Sequence, residues 1–268
     1  MPELSVMILC GRSPRHLYVA NRLCRAARPV AIVQEVGGEN RSAKLIKLAL
    51  RPTILWSKVW RWLRDRRRYT GQGEAKFFFG AEVPVLERSD LLVEVPHINH
   101  PSVAALADEH QPDVIAVFGT SLIKGELLKK GRYGIVNLHG GLSPHYRGAD
   151  CTFWALYNGE PDQVGCTLHF IDPGIDSGDL IAHVCPQVKE GDDELNLFWR
   201  AVRDSAEVYA ELFDKLAAGD PVGQPQQSKG TLYQVKDRGW RHERLLDARL
   251  RQGMLKGVQI PPRVHWFQ

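Results

Sequence analysis

An amide and an imidazole stand two residues apart in Asn137-Leu138-His139, at the end of the apolar run Gly134-Ile135-Val136. A carboxylate, Asp176, lies in the Gly-rich stretch Gly174-Ile175-Asp176-Ser177-Gly178. Side chains at i and i+2 share one face of a strand, so Asn137 and His139 can meet one reacting group. An Asn side-chain N–H donates to an oxygen that is gaining negative charge, and losing one such donor costs roughly 3 kcal/mol of barrier. A carboxylate beside His139 raises the imidazole pKa, fixes its tautomer and lets it pass a proton; Asp176 itself offers an acceptor for the proton an attacking amine must lose. Together these groups supply what acyl transfer to an amine needs. Alone, Asn-x-His is a short motif, and a satisfied histidine at a strand end carries the same spacing. Asp172 and Asp179 compete with Asp176: Asp172 precedes Pro173-Gly174 and suits a turn cap, while Asp179 opens the apolar run Leu180 to Val184.

These residues sit in a longer pattern that resembles the formyltransferases using N10-formyltetrahydrofolate, among them methionyl-tRNA formyltransferase, glycinamide ribonucleotide transformylase and the sugar N-formyltransferases. The family shows Asn-x-His, a loop ending Leu-x-Pro with Tyr-Arg-Gly, Trp-Ala before a Gly-Asp or Gly-Glu turn, Gly-x-Thr, and Gly-x-Asp-x-Gly. This chain has Asn137-Leu138-His139, Leu142-Ser143-Pro144, Tyr146-Arg147-Gly148, Trp154-Ala155, Gly159-Glu160, Gly165-Cys166-Thr167 and Gly174-Ile175-Asp176-Ser177-Gly178, a match from about Pro112 to Val188. The resemblance implies that Asn137, His139 and Asp176 form the catalytic triad and that N10-formyltetrahydrofolate is the formyl donor. It implies a pterin between Phe118-Gly119-Thr120 and a wall containing Ile171, Asp172, Gly174 and Ile175, with Phe118 equally suited to plain core packing. It places the acceptor beside Gly140, Gly141, Ser143, Tyr146 and Arg147. Gly140-Gly141 replace the Pro-Ser of the best-known members, a departure expected to loosen that loop.

Gly11-Arg12-Ser13-Pro14 after the first strand lacks the Gly-rich cradle a phosphoribosyl group would need. The stretch beyond Val188 is expected to be too short for the C-terminal barrel that resemblance to methionyl-tRNA formyltransferase would require. Resemblance to the sugar N-formyltransferases, which often keep this core with a small appendage, implies a nucleotide-linked amino sugar as the acceptor, with hydroxyornithine-type amines, aminoacyl-tRNA, or water in a hydrolase as alternatives. No specific nucleic acid partner is expected, and a homodimer is left open. No Gly-x-Gly-x-x-Gly follows a strand, so a nicotinamide dinucleotide is unsupported. No metal is expected either, since His97 and His100 are two histidines in a loop.

The elements that must hold the site read as α/β: an open, mainly parallel twisted sheet with flanking helices, in the Rossmann-like manner of the family, plus a short C-terminal appendage. Strands are expected at Ser5–Cys10, Val30–Gln34, Asp113–Phe118, the run carrying Asn137, Gly165–Ile171 and Leu180–Val188. Helices are expected at Arg15–Ala27, Ser102–His110, Leu122–Lys130, Thr152–Asn158 and from Asp192 to Ala218, the last capped by Asp192 or Asp193 and stopped by Gly219. A loop from Pro221 to Gly230, a strand at Thr231–Val235 and a basic helix from Trp240 to Leu255 complete the chain. The division expected is a catalytic domain over 1–220, with a basic insertion at 41–75, and an extension over 221–268. Ligands in such sheets bind beyond the carboxyl ends of the strands, where Asn137 and His139 fall.

The chain has 268 residues, 25% of them charged and 44% hydrophobic, which excludes neither a core nor solubility and points to an ordinary globular enzyme. No apolar run approaches a membrane span and no basic n-region precedes an apolar core, so a cytoplasmic location is expected. Five cysteines without a Cys-x-x-Cys pair argue against a disulfide framework or zinc knuckle. The net charge of +4 owes its sign to Arg41 to Thr70, where Arg41, Lys44, Lys47, Arg51, Lys58, Arg61, Arg64, Arg66, Arg67 and Arg68 face one acid, Asp65. Beyond Pro52 the spacing of Ile54, Leu55, Val59, Trp60, Trp62 and Leu63 predicts an amphipathic helix. Three uses stay open for it: a solvated face, a site for an anionic acceptor, or attachment to an anionic membrane.

Overall fold

The run Ser5–Cys10 forms β1, buried on every residue, as a central strand covered by helices on both faces must be. The structure, a computed structural model, describes residues 3–37, 55–56, 59–60, 62–63 and 73–268. After β1 comes α1 (Pro14–Cys24), which opens with a proline at a position whose N–H has no helical partner in any case. Then come β2 (Arg28–Glu35), α2 (Gly73–Phe79), β3 (Leu92–Val95), α3 (Pro101–His110), β4 (Val114–Phe118) and β5 (Ile135–His139). These five strands are parallel, in the order β3-β2-β1-β4-β5.

Past β5 the direction reverses. β7 (Cys166–Phe170) runs antiparallel to β5, β8 (Leu180–Cys185) to β7, and β12 (Arg263–Trp266) to β8, which completes an eight-stranded sheet among the described residues. β6 (Tyr146–Gly148) and α4 (Cys151–Tyr157) lie between β5 and β7; β9 (Val188–Lys189), α5 (Glu194–Ala218), β10 (Thr231–Tyr233), α6 (Trp240–Arg251) and β11 (Gln259–Ile260) lie between β8 and β12.

Period-two alternation sorts the strands into two core layers. Val6, Ile8, Val114, Ala116, Phe118, Val136 and Leu138 pack with α1 and α5, while Met7, Leu9, Ile115, Val117 and Ile135 pack with α3. α5 is capped by Asp193, whose carboxylate accepts from the Asn196 N–H at 2.8 Å, and ends at Gly219 in a left-handed turn. From α5 the buried Tyr209 hydroxyl donates to the Val136 carbonyl at 2.7 Å and accepts from the Val117 N–H at 3.3 Å. That one hydroxyl ties the helix to β4 and β5 just ahead of Asn137.

The structure departs from the sequence reading between β4 and β5. The helix expected over Leu122–Lys130 is extended through Lys124, and only Gly125–Lys129 form a short 3-10 stretch. Gly125 takes a φ of 70°, outside the helical region, and the extended backbone lets Ile123 and Leu127 both reach the layer under α3. The strand expected over Leu180–Val188 is divided into β8 and β9 at Pro186, which has no N–H to give a ladder. Residues 221–268 are bound into the body by β12 on the main sheet, β10 beside β6, β11 beside β9 and a backbone bridge from Gln224 to Leu180. The charged residues expected at 41–70 lie outside the described residues; 55–56, 59–60 and 62–63 are helical, with Trp56 and Trp62 exposed. No described helix is long and apolar enough to cross a membrane.

Candidate active site

β5 ends with Asn137 and His139 on one face while Leu138, between them, is buried in the opposite layer. β7 lies alongside with Asn137 opposite His169 and His139 opposite Thr167. The loop from β7 to β8 then returns Asp176 to the same end of the sheet. Asp176 has a φ of 48°, a left-handed conformation that costs a non-glycine residue on the order of 1 kcal/mol. Three contacts hold it there. Its carboxylate accepts from the Gly148 N–H at 2.8 Å, the Gln226 amide donates to the carbonyls of Asp176 and Gly178 at 2.9 and 2.8 Å, and Arg147 Nε donates to the Ile175 carbonyl at 2.9 Å. Gly148 is required for this: at a φ of 88° a Cβ would lie 2.2 Å from the Tyr233 carbonyl oxygen.

His139 Nε2 donates to the Tyr146 carbonyl at 3.0 Å, leaving Nδ1 turned to Asp176 Oδ2 at 3.4 Å. His169 mirrors it: Nδ1 donates to the Phe170 carbonyl at 2.8 Å, and Nε2 faces Asp176 Oδ1 at 3.5 Å while accepting from the Asn137 amide at 3.1 Å. In neutral rings both nitrogens turned to Asp176 are lone pairs. A proton arriving here is therefore shared between an imidazole and a carboxylate, and the site is built to receive one. Burial pushes the Asp176 carboxyl up, but a proton on His139 foremost, or on His169, together with the Gly148 N–H, outweighs it and holds the group at about 2. Burial pushes the His139 imidazole down, and Asp176 raises it only in part. Sequence alone led to the opposite sign for His139, because a strand pattern reveals the neighbouring charge and not the depth of burial.

Two cavities lie against these residues, one on Asn137, His169 and Asp176 and the other on His139. One, of about 150 Å³, is lined by Val117, Thr120, Leu122, Asn137, His169 and Asp176, with Ile171, Asp172 and Gly174 on its far wall. The other, of about 260 Å³, is lined by His139, Gly140, Gly148, Asp150, Thr152 and Glu194 among others. Of the expected pterin residues, Thr120, Ile171, Asp172 and Gly174 line the first cavity. Phe118 and Gly119 pack against His16 instead, with the Phe118 and His16 rings 4.8 Å apart, because Phe118 points to the opposite sheet face from Val117. Asp172 also caps its turn, accepting from the Gly174 N–H at 3.0 Å and the Ser177 hydroxyl at 2.8 Å. The Ile175 side chain is exposed.

Of the expected acceptor residues, Gly140 lines the second cavity. Gly141 is buried beneath Cys151, and a Cβ there would lie 2.5 Å from that of Cys151. The loop is thus closely packed, and the expectation that two glycines loosen it is corrected: the missing side chain of Gly141 makes room for α4 and that of Gly140 for Phe198 of α5. Ser143 is buried, its N–H donating to Thr167 Oγ1 at 3.0 Å. Tyr146 serves through its carbonyl, which accepts from His139, and Arg147 through the Asp176 loop.

Sequence reading missed His169, Gln226 and Arg238. His169 could have been found only from the β5–β7 register, which places it across from Asn137. Arg238 is 3% exposed and joins Asp150, Glu194 and Glu243 at 2.9, 2.8 and 2.6 Å. Glu243 is five residues away, but Asp150 and Glu194 come from distant stretches of the chain, so no local motif marks the group. Among the described residues no group of three or more His, Cys, Asp or Glu is placed to hold a metal ion.

The sequence profile of the Formyl transferase family matches residues 79–212, half of the chain. Methionyl-tRNA formyltransferase of Caldanaerobacter subterraneus is 32% identical over 136 residues, which cover 50% of this chain and 44% of that protein. That of Citrifermentans bemidjiense is 37% identical over 124 residues, 46% of this chain and 38% of that protein. The chain thus matches less than half the length of these relatives. Among solved structures, a sugar N-formyltransferase from Shewanella sp. has a TM-score of 0.56 at 17% identity, covering 92% of this chain and 87% of that one. Glycinamide ribonucleotide transformylase 1 of Symbiobacterium toebii has a TM-score of 0.53 at 22% identity, covering 81% and 89%. These likenesses establish a shared fold. With a family match over half its length, and Asn137, His139 and Asp176 gathered near the carboxyl end of β5, the chain belongs to the formyl transferase family.

Proposed function

We propose that this chain transfers a formyl group from N10-formyltetrahydrofolate to a primary amine of a small metabolite, the amine being carried by a nucleotide-linked sugar. The observation that carries the reading is that Asn137 and Asp176 line one cavity while His139, 3.4 Å from Asp176, lines another. Val117, Leu122, Ile123 and Ile171 give the first an apolar slot edged by Thr120, Ser121 and Asp172, which suits a flat heteroaromatic ring with donors and acceptors on its rim. When bound, the donor supplies an activated one-carbon carbonyl. Asn137 spends one amide N–H on His169 and has a second to give an oxygen that gains negative charge. His139, kept neutral by burial, and Asp176, kept ionised, take the proton the amine must release.

The second cavity favours transfer over hydrolysis, since water needs no 260 Å³ chamber of its own. Its polar groups Asp150, Thr152 and Glu194 suit a guest with hydroxyl and amino donors, which supports the sugar. The test is tetrahydrofolate formation from the formyl donor across a panel of amines with a no-amine control. Amine-dependent formation is expected, with amino sugars leading. An equal rate without amine would make the protein a hydrolase.

A further inference from the structure

We infer that Asn99 and Glu35 are positioning residues for the formyl donor: from the far side of β1 they hold residues 120–124, which wall the cavity beside Asn137. This rests on the donor reading above and adds what keeps that site ready for its guest. The segment follows β4, and Thr120, Ser121, Leu122 and Ile123 line the cavity together with Asn137 and Asp176. It belongs to no strand or helix, and among the described residues none of the main-chain groups of residues 120–123 bonds to other main chain. Such a stretch keeps one shape only where side chains take its polar groups.

Asn99 takes two of them. Its amide donates to the Leu122 carbonyl at 2.8 Å, and its side-chain oxygen accepts from the Lys124 N–H at 2.7 Å. One amide thus serves the main-chain groups on either side of Ile123, as a neighbouring strand would. Glu35, the last residue of β2, takes two more donors: Oε2 accepts from the Ser121 N–H at 3.2 Å and Oε1 from the Ser121 hydroxyl at 3.1 Å. In the sheet, β1 separates β2 from β4, so the segment leaving β4 crosses the carboxyl end of β1 to reach Glu35. His97 joins the two holders: Nδ1 accepts from the Asn99 N–H at 3.1 Å, and Nε2 faces Glu35 Oε1 at 3.7 Å. Ile98, between His97 and Asn99, is fully buried in the layer under α3, and Ile123 is buried in the same layer. The clamp is therefore anchored in the core on both of its sides. Without it the donor must order this wall as it binds, and ordering the equivalent of one residue weakens binding about tenfold.

The experiment is a calorimetric titration of tetrahydrofolate into the full chain with no amine present. Asn99→Ala and Glu35→Ala are each expected to raise the Kd about tenfold. Glu35→Gln keeps a side-chain oxygen for Ser121 and should recover most of that loss. His100→Ala is the control for stability alone: His100 caps α3, accepting from the Ser102 N–H at 3.3 Å, so its loss should lower the urea midpoint and leave the Kd unchanged. In turnover, Asn99→Ala should raise the Michaelis constant for the formyl donor by the same factor and keep the rate at saturating donor within about twofold, because Asn137, His139 and Asp176 retain their contacts. A Kd within about twofold of wild type in both alanine variants, or an equal rise in His100→Ala, overturns the inference and leaves the donor reading standing. No binding of tetrahydrofolate by the wild type overturns both.

Discussion

Asp176 stands between two imidazoles, with Oδ2 3.4 Å from His139 Nδ1 and Oδ1 3.5 Å from His169 Nε2. Each ring gives its other nitrogen's proton to a main-chain carbonyl, so the carboxylate faces two lone pairs. The arrangement has room for one more proton, and an amine attacking a formyl carbon must lose one.

His169 positions Asn137 and Asp176 together. His169→Phe keeps the ring volume and removes both contacts, and turnover is expected to fall about tenfold as the amide and carboxylate lose their fixed geometry. The Michaelis constant for the formyl donor should change much less, and the pH profile of turnover should shift. Steady-state kinetics from pH 5 to 9 check this. Wild-type turnover and an unmoved profile would reduce His169 to packing.

Gly148→Ala should act on stability and site at once. The added Cβ meets the Tyr233 carbonyl, at a φ that side chains avoid, and the N–H that Asp176 uses moves with the backbone. A loss of about 2 kcal/mol or more is expected in urea unfolding, with turnover reduced in the fraction that folds. Stability within about 0.5 kcal/mol of wild type would contradict the close β6–β10 pairing.

Stability should depend on pH through buried histidines. Burial, aided by the Arg15 charge, holds His16 at about 3, and burial holds His183 at about 4 against the pull of the Ser143 carbonyl. Below pH 6.5 the unfolded chain takes protons that the folded one refuses, so this stability is complete above 6.5 and lost as pH falls toward those values. Each group contributes a slope of at most about 1.4 kcal/mol per pH unit. Urea midpoints should drop steadily from pH 6.5 to 4, and less steeply in His16→Asn. The Asp176 contribution is lost only lower, between about 4 and 2. A flat profile from pH 7 to 4 would contradict the burial of these rings.

The fold was legible where local pattern decides structure. β1 falls on Ser5–Cys10 as its apolar run implies, and α5 begins and ends at the Asp193 cap and Gly219. The pairing of Asn137 with His139 followed from strand parity, and the choice of Asp176 from the resemblance of Gly174-Ile175-Asp176-Ser177-Gly178 to the family's acid loop. The features that could not be read depend on contacts between distant segments. Leu122–Lys130 has helix-forming residues but conforms to the core layer instead, because Ile123 and Leu127 gain more by burial than the helix would. The facing of Phe118 away from Asn137 comes from the same parity and needed only the strand's first residue to be known. Arg238 brings together carboxylates from α4, α5 and α6 or their caps, and only Glu243 lies in its own neighbourhood; nothing there announces Asp150 or Glu194.

The most direct measurement compares amine-dependent tetrahydrofolate formation by the wild type with that of Asp176→Asn, Asn137→Ala and His139→Ala at saturating formyl donor. Each substitution is expected to lower turnover about a hundredfold, since each removes either the oxyanion donor or part of the proton acceptor. Asp176→Asn is the sharpest of the three, because the side chain keeps its shape and loses only its charge. Wild-type turnover in that variant would contradict the assignment of a shared proton between Asp176 and the imidazoles, and with it the chemistry assigned to this site.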